Sequence, residues 1–150
     1  MAKMTAVDWR KVKHFTPGEF NHPEMMETSI IFLLDTIREL YHHPIVVMSD
    51  YRPPPDPDVD EYPSLHNYGR AVDFYVVGID YLDAVDLMEG FLNGLGVSNG
   101  VGLGIYPGWN HDGFHLDTRG RRSRWGWTGL HYKNGKKKYV DYDVAYRAIR

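Results

Sequence analysis

The stretch from Ala71 to Val77 is apolar except for one carboxylate, that of Asp73. Its length and its content of branched and aromatic residues predict a β-strand. Side chains alternate along a strand, so Asp73 shares a face with Ala71 and Tyr75. A carboxylate in such a strand is costly unless it is paired, hydrogen-bonded or bound to a metal ion. The fold must therefore bring a partner to Asp73.

Two histidines are candidate partners of this carboxylate. His66 lies shortly before the strand, and Gly69 between them allows a tight turn that brings His66 and Asp73 to one point. His115 lies on another predicted strand. Imidazole and carboxylate groups are ligands that zinc prefers. A lone His66 would be an ordinary loop histidine, and Asp73 could pair with Arg70, so only the combination indicates a metal site.

The absence of cysteine limits the kind of metal site that this chain can form. There is no Cys among the 150 residues, and structural zinc sites usually close with cysteine. Three nitrogen and oxygen ligands leave the fourth position of zinc free for water, which is typical of hydrolytic sites. The combination therefore predicts a catalytic Zn²⁺ site.

Apolar periodicity and turn residues predict the secondary structure. Thr16, with a proline and a glutamate after it, is typical of a helix start. A second helix start is predicted at residues 21–24, and apolar residues at helical spacing after it predict a helix that ends near His42. The same spacing predicts another helix from about Asp80 to Asn93. Asn134-Gly135 predicts a hairpin, and a short terminal helix starts at Asp141. Further apolar stretches predict strands, namely residues 45–48, 71–77, 101–106 and 113–118.

Taken together, these elements predict one α+β domain over residues 1–150, with a small, mostly antiparallel sheet flanked by helices. The formal net charge of −3 predicts no nucleic-acid partner. No apolar run approaches the ~18 residues that would span a bilayer, so no membrane insertion is expected. The N-terminus lacks the apolar core of a signal peptide, which predicts synthesis in the cytoplasm. No long apolar face is left over after the core, which predicts a monomer.

The spacing of the candidate ligands is similar to that of a known enzyme family. The pattern Ser-x-His-x-x-Gly-x-Ala-x-Asp at residues 64–73 is followed by His-x-Asp at residues 115–117. This combination resembles the LAS-type zinc peptidases, which include D-Ala-D-Ala carboxypeptidases, vancomycin-resistance carboxypeptidases and phage L-alanyl-D-glutamate endopeptidases. The similarity covers roughly residues 14–127, including the turn at 49–53 and the Gly-x-Gly-x-Tyr-Pro strand at 102–107. It implies the Hedgehog-type, D-Ala-D-Ala-peptidase-like fold.

The resemblance implies roles for individual residues. His66, Asp73 and His115 would be the zinc ligands. Arg52 would bind a carbonyl or carboxylate of the substrate and stabilise the tetrahedral intermediate, although a surface salt bridge with Asp50 or Asp58 is the simpler alternative. Rigid prolines follow Arg52 and would hold its guanidinium in place.

The catalytic base of this family is an acidic residue or histidine just upstream of the last ligand, often three positions before it. Asp112 occupies that position here. The adjacent His111 is the alternative, and Asp112 could also be a simple turn residue before Gly113. Asp117 is expected to orient a histidine ligand. The remaining candidates would bind substrate, support the ligands or line the pocket, namely Ser64, Tyr106 and Trp109.

The resemblance implies a zinc metallopeptidase that hydrolyses the stem peptides of peptidoglycan by means of a metal-activated water. The missing export signal favours a phage or prophage endolysin that reaches the cell wall after release, with L-Ala-D-Glu or crosslink endopeptidase activity, over a D,D-carboxypeptidase. Two alternatives stay open: an enzyme acting on free D-Ala-D-Ala, and a non-catalytic phage structural or wall-binding module. A basic cluster before and around Trp125 predicts a solvated edge or contact with anionic wall polymer, namely Arg119, Arg121, Arg122 and Arg124.

Overall fold

The protein's computed structural model describes residues 2–54, 64–129, 132–133 and 136–150. Within these ranges the chain is an α+β fold, as predicted, with four α-helices and a mixed five-stranded sheet. The helices are α1 Ala6–Lys11, α2 Thr28–Tyr41, α3 Tyr81–Gly94 and α4 Tyr142–Arg147. The strands of the sheet are β1 Ile45–Ser49, β2 Ala71–Val76, β3 Gly102–Tyr106, β4 Gly113–Asp117 and β5 Ser123–Gly126, and a separate ribbon pairs β6 Tyr132–Lys133 with β7 Lys136–Lys137.

The five strands lie in the order β1-β2-β4-β3-β5. The first three neighbouring pairs are antiparallel, as predicted, while β5 runs parallel to β3. One rung crosses the whole sheet and joins Ser49, Asp73, His115, Gly104 and Trp125. Because cross-strand partners project to the same face, this rung places the Asp73, His115 and Trp125 side chains next to one another.

The other face of the sheet belongs to the hydrophobic core. Phe74 of β2 stacks on Phe114 of β4 with ring centroids 5.5 Å apart. Apolar residues of α2 and α3 join the same buried cluster, namely Ile30, Ile31, Leu34, Ile37, Val85, Met88 and Leu92. One face of the sheet thus packs in the hydrophobic core, and the face that carries Asp73 is left to form a site.

The second long helix matches its prediction, but the first begins later than predicted. Its predicted start at residues 21–24 is a separate 3₁₀ turn, Pro23–Met25, and Met26 after it has extended backbone. The helix start predicted at Thr16 is a single 3₁₀ turn, Pro17–Glu19, in which the Glu19 carboxylate accepts the Thr16 N–H at 2.6 Å. The first long helix begins at Thr28, and it ends at Tyr41, close to the predicted end. None of the helices in the described ranges is both long and apolar enough to cross a membrane.

Two elements are absent from the sequence-based prediction. The first is α1, which has only six residues and begins with a reciprocal capping box between Thr5 and Asp8. The second is β5, which adds to the sheet next to β3. The predicted hairpin is present as the β6–β7 pair, while its turn, Asn134-Gly135, lies outside the described residues.

Candidate metal centre

A cleft of about 570 Å³ opens on the sheet face that carries Asp73. Its walls come from the turn after β1, from the segment before β2 and from strands β2 to β5. It brings together most of the residues predicted from the sequence, namely Arg52, Ser64, His66, Asp73, Tyr106, His115 and Asp117.

The three predicted ligands meet in this cleft. His66, Asp73 and His115 are buried, and each offers a ligand atom within 4.8 Å of the others. Nε2 of His66 lies 3.1 Å from Oδ2 of Asp73, and Nδ1 of His115 lies 2.9 Å from Oδ1. Two ligands of a tetrahedral zinc ion are roughly 3.3 Å apart, given bond lengths of about 2.0–2.1 Å. The group could therefore hold a metal ion.

Local structure fixes the ring of His66. Ser64 caps the 3₁₀ turn Leu65–Tyr68 by accepting the His66 N–H at 3.2 Å, and Gly69 ends the turn at φ 70°. Nδ1 of His66 donates to the carbonyl oxygen of Asp50 at 2.8 Å, since a carbonyl can only accept. Nε2 therefore carries the lone pair. It is buried, and its contact with the nearby carboxylate is not aligned as a hydrogen bond. In this tautomer, with the proton on Nδ1, a histidine can bind a metal ion through Nε2.

His115 lies between two carboxylates. Its Nε2 is 2.7 Å from Oδ2 of Asp117, and its Nδ1 faces Asp73. Asp117 is itself held by Nε and Nη2 of Arg119, at 2.9 and 2.7 Å, and by the N–H of Gly102 at 3.2 Å. With Asp117 accepting the proton of Nε2, the Nδ1 atom of His115 is left to bind a metal.

These contacts shift the protonation of the buried groups. Burial by itself would raise the pKa of Asp73, but its close contacts with His115 and His66 outweigh burial and lower the pKa. The pKa of Asp117 is likewise lowered against burial, by Arg119 and His115. Burial would lower the pKa of His115, yet its bonds to the two carboxylates raise it. A metal ion binding between these groups must compete with that proton.

Two glycines of β3 leave room for this arrangement. A Cβ atom at Gly102 would lie 2.6 Å from Nε of Arg119 and 2.7 Å from the carboxylate of Asp117. A Cβ atom at Gly104 would lie 2.8 Å from Nε1 of Trp125. Side chains at these two positions would displace groups that line the cleft. The Gly-x-Gly of β3 is therefore a requirement of the site.

The residues predicted as the base lie elsewhere. Asp112 and His111 line a separate pocket, together with residues at the end of β2 and in the segment after it. Oδ1 of Asp112 accepts the N–H of Gly108 at 2.7 Å, and the ring of His111 stacks on Tyr75 with centroids 4.0 Å apart. Their role as a base stays a prediction, and this placement does not support it.

Arg52 lies at the rim of the cleft. Its N–H donates to the carbonyl of His66 at 3.1 Å, and the Asn67 amide donates to its carbonyl at 3.2 Å. The alternative salt bridge with Asp50 is not formed, because that carboxylate accepts the N–H groups of the segment at 21–22. The other alternative partner, Asp58, lies outside the described residues. The Arg52 side chain is exposed and forms no salt bridge with a carboxylate in the part of the chain that the structure describes.

Tyr106 and Trp109 lie at different depths. Tyr106 lines the cleft, and its hydroxyl oxygen accepts the indole N–H of Trp125 at 3.1 Å. Burial, with a further contribution from the charge of Asp73, raises the pKa of Tyr106, so its phenol stays protonated. Trp109 packs edge-on against Tyr106 with centroids 5.3 Å apart and is not part of the cleft lining.

Several cleft residues are missing from the sequence-based prediction. Arg119 lies over the ring of Trp125 at 4.9 Å, and strand alternation continued past Asp117 could have indicated it. Tyr139 reaches the cleft because its neighbour Val140 pairs with β5. No local signal could have indicated that contact, which joins segments far apart in the chain.

Comparison of the chain with protein-family models, with curated proteins and with solved structures gave no match. The similarity to LAS-type peptidases therefore stays a prediction from the motifs.

Proposed function

We propose that this protein is a zinc metallopeptidase of the Hedgehog-type fold that hydrolyses the stem peptides of peptidoglycan. One observation carries the proposal: Nε2 of His66, Nδ1 of His115 and the Asp73 carboxylate converge in an open cleft. Two imidazoles and a carboxylate are the donor set of catalytic zinc sites. Calcium and magnesium prefer oxygen ligands, so this set favours zinc over them.

The residues around the ligands prepare them for a metal. When bound, zinc would polarise the scissile carbonyl group and activate a water molecule for attack on it. The Asp50 carbonyl keeps the proton of His66 on Nδ1, and Asp117 keeps the proton of His115 on Nε2. Arg119 holds Asp117 in place as an ionised acceptor. Both rings thus offer a lone pair in a fixed direction.

Other residues of the cleft would bind the substrate. The exposed guanidinium of Arg52 can donate to a carboxylate or to the oxyanion that develops during hydrolysis. Binding there breaks no ion pair with a residue that the structure describes. Action on the cell wall as a phage or prophage endolysin belongs to the same proposal and is supported by the motif resemblance.

A second function is favoured by one observation. Asp112, the predicted base, lies outside the cleft and is engaged with Gly108. A wall-binding module that holds a metal ion but does not turn over its ligand would tolerate this placement. Activity measurements separate the two functions, because only the peptidase creates new amino termini.

The test combines metal analysis with hydrolysis of purified murein sacculi. Wild-type protein should contain zinc and release new amino termini from the sacculi. Asp73→Asn should lose both properties, since it removes the central ligand. Asp35→Asn is the matched control, because Asp35 is also a buried carboxylate but caps backbone N–H groups outside the cleft. Zinc binding without release would support the wall-binding module, and protein that takes up no zinc would refute both functions.

A further inference from the structure

Among the described residues, the cleft contains arginines that no carboxylate pairs with, although the chain as a whole has a formal net charge of −3. Its two carboxylates are already engaged: Asp73 contacts both ligand histidines, and Asp117 pairs with Arg119 at 2.7 Å. Arg52 and Arg121 also line the cleft, and neither forms an ion pair with a carboxylate in the described ranges. Such a cleft attracts anionic ligands.

Arg121 differs from the other arginines of the basic cluster. Arg124 donates to Glu89 of α3 at 2.8 Å, and Arg122 lies 3.9 Å from the same carboxylate and donates to Ser98 at 2.7 Å. These two arginines therefore connect the start of β5 to α3 and to Ser98. Arg121 is exposed, lines the cleft and makes no such contact. Among the described contacts, Arg121 is thus the arginine of this segment that lines the cleft without an ion pair.

Arg52 and Arg121 approach the metal centre from opposite sides. Arg52 follows β1 and Arg121 precedes β5, which are the two outermost strands of the five. Neighbouring strands lie ~4.8 Å apart, so these outermost strands are separated by roughly 19 Å. The ligands on β2 and β4 lie between them. A peptide laid across the Asp73–His115 rung would therefore meet a guanidinium on each side.

This arrangement favours a particular kind of peptide. An extended chain advances ~3.4 Å per residue, so carboxylates a few residues apart can meet both guanidinium groups. Stem peptides of peptidoglycan carry several carboxylates along a short chain. Free D-Ala-D-Ala carries only one, and its ammonium group would face the second guanidinium, which is repulsive.

We propose that Arg121 forms a second carboxylate subsite opposite Arg52. The cleft then selects acidic stem peptides that carry at least two carboxylates, in preference to the free dipeptide. This inference rests on the peptidase proposed above, since the His66–Asp73–His115 group defines where the scissile bond lies.

The test compares Arg121→Gln with Arg122→Gln. Both variants lose one positive charge from the same turn, but only Arg121 lines the cleft. The probes are the disaccharide tetrapeptide released from murein by a muramidase, the same compound with its carboxylates converted to amides, and D-Ala-D-Ala. Dissociation constants are measured by calorimetry with zinc-loaded protein and again with chelator-treated protein, in which the probes are not turned over.

We expect Arg121→Gln to weaken binding of the acidic tetrapeptide about fivefold, as for an exposed ion pair, and Arg122→Gln to bind it like the wild type. The amidated probe and D-Ala-D-Ala should bind the wild type more weakly and be insensitive to Arg121→Gln. Equal binding of the acidic probe by the two variants would overturn the subsite, as would tight binding of the amidated probe or no binding of the acidic probe by the wild type. Failure of the peptidase proposal is distinct, because it is read from sacculi that release no amino termini.

Discussion

Replacing Asp117 by asparagine would test how this protein prepares a histidine for metal binding. Asp117 is fully buried and accepts hydrogen bonds from Nε2 of His115, from two guanidinium nitrogens of Arg119 and from the N–H of Gly102. A carboxylate can accept all of these, whereas an asparagine side chain has one acceptor oxygen and a donor NH₂ group. At least one donor would then face another donor.

The size of the effect follows from these contacts. A hydrogen bond to a charged group contributes about 1.5–3 kcal/mol. Asparagine can still accept some of these hydrogen bonds. Arg119, whose side chain is 19% exposed, can donate to water instead. We therefore expect the free energy of unfolding to fall by about 3 kcal/mol, which corresponds to a decrease in Tm of about 6–12 °C for a chain of this size. Zinc affinity should fall by about 10- to 100-fold, because His115 is no longer held with Nδ1 free.

Zinc affinity is measured by competition with a chromophoric chelator, and Tm by thermal unfolding. Asp35→Asn is the matched control, since Asp35 accepts the N–H groups of Lys13 and His14 at 3.0 and 2.8 Å and lies outside the cleft. It should lower Tm and leave zinc affinity unchanged. If Asp117→Asn bound zinc within about twofold of the wild type, the proposed effect of Asp117 on metal affinity would be refuted. An equal loss of affinity in Asp35→Asn would assign the effect to general destabilisation.

Three further predictions concern the metal, the β3 strand and the base. Chelation of zinc should lower Tm by about 10 °C relative to protein held at about 1,000 times the Kd in free zinc, since linkage then contributes about 4 kcal/mol; an unchanged Tm in thermal scans would contradict binding to the folded site. Gly102→Ala should lower both zinc affinity and Tm, because its Cβ would crowd Arg119 and Asp117, whereas Gly100→Ala, which meets nothing within 4 Å, should change neither. Asp112→Asn should retain turnover of sacculi, because its carboxylate lies outside the cleft; a loss of about 100-fold or more would instead support its predicted role as the base.

The sequence was sufficient to predict the long helices and the clustering of His66, Asp73 and His115. The α2 and α3 helices have an apolar stripe long enough to specify their type without tertiary information. Asp73 stood out because a carboxylate in an apolar strand requires a partner, and the structure supplies His66 and His115. The apolar stripe of a helix can be recognised from one segment of the chain. The metal cluster can be recognised by combining such short segments, the one around Asp73 and the one around His115.

The remaining features depend on contacts that no local pattern contains. The β5 strand is short and arginine-rich, and only its pairing with β3 makes it a strand. Asp112 has the expected spacing from His115, but spacing along the chain does not determine the direction of a side chain in the loop before β4. Arg121 and Arg122 are adjacent and chemically identical. Arg122 lies 3.9 Å from Glu89 of α3, whereas Arg121 lines the cleft, and this difference depends on the position of α3.

The hydrophobic core also determines the geometry of the metal centre. On β2 and β4 the buried pair Phe74–Phe114 is adjacent in register to the pair Asp73–His115. A slip of one residue between these strands would turn the charged side chains into the core and the phenylalanines toward the cleft. Both phenylalanines are fully buried, and moving each to solvent would cost about 1.5–3 kcal/mol, before the larger cost of burying unpaired charge. Core packing therefore excludes the registers in which the ligands would not meet, so substitutions that loosen the Phe74–Phe114 stack should weaken metal binding without touching a ligand.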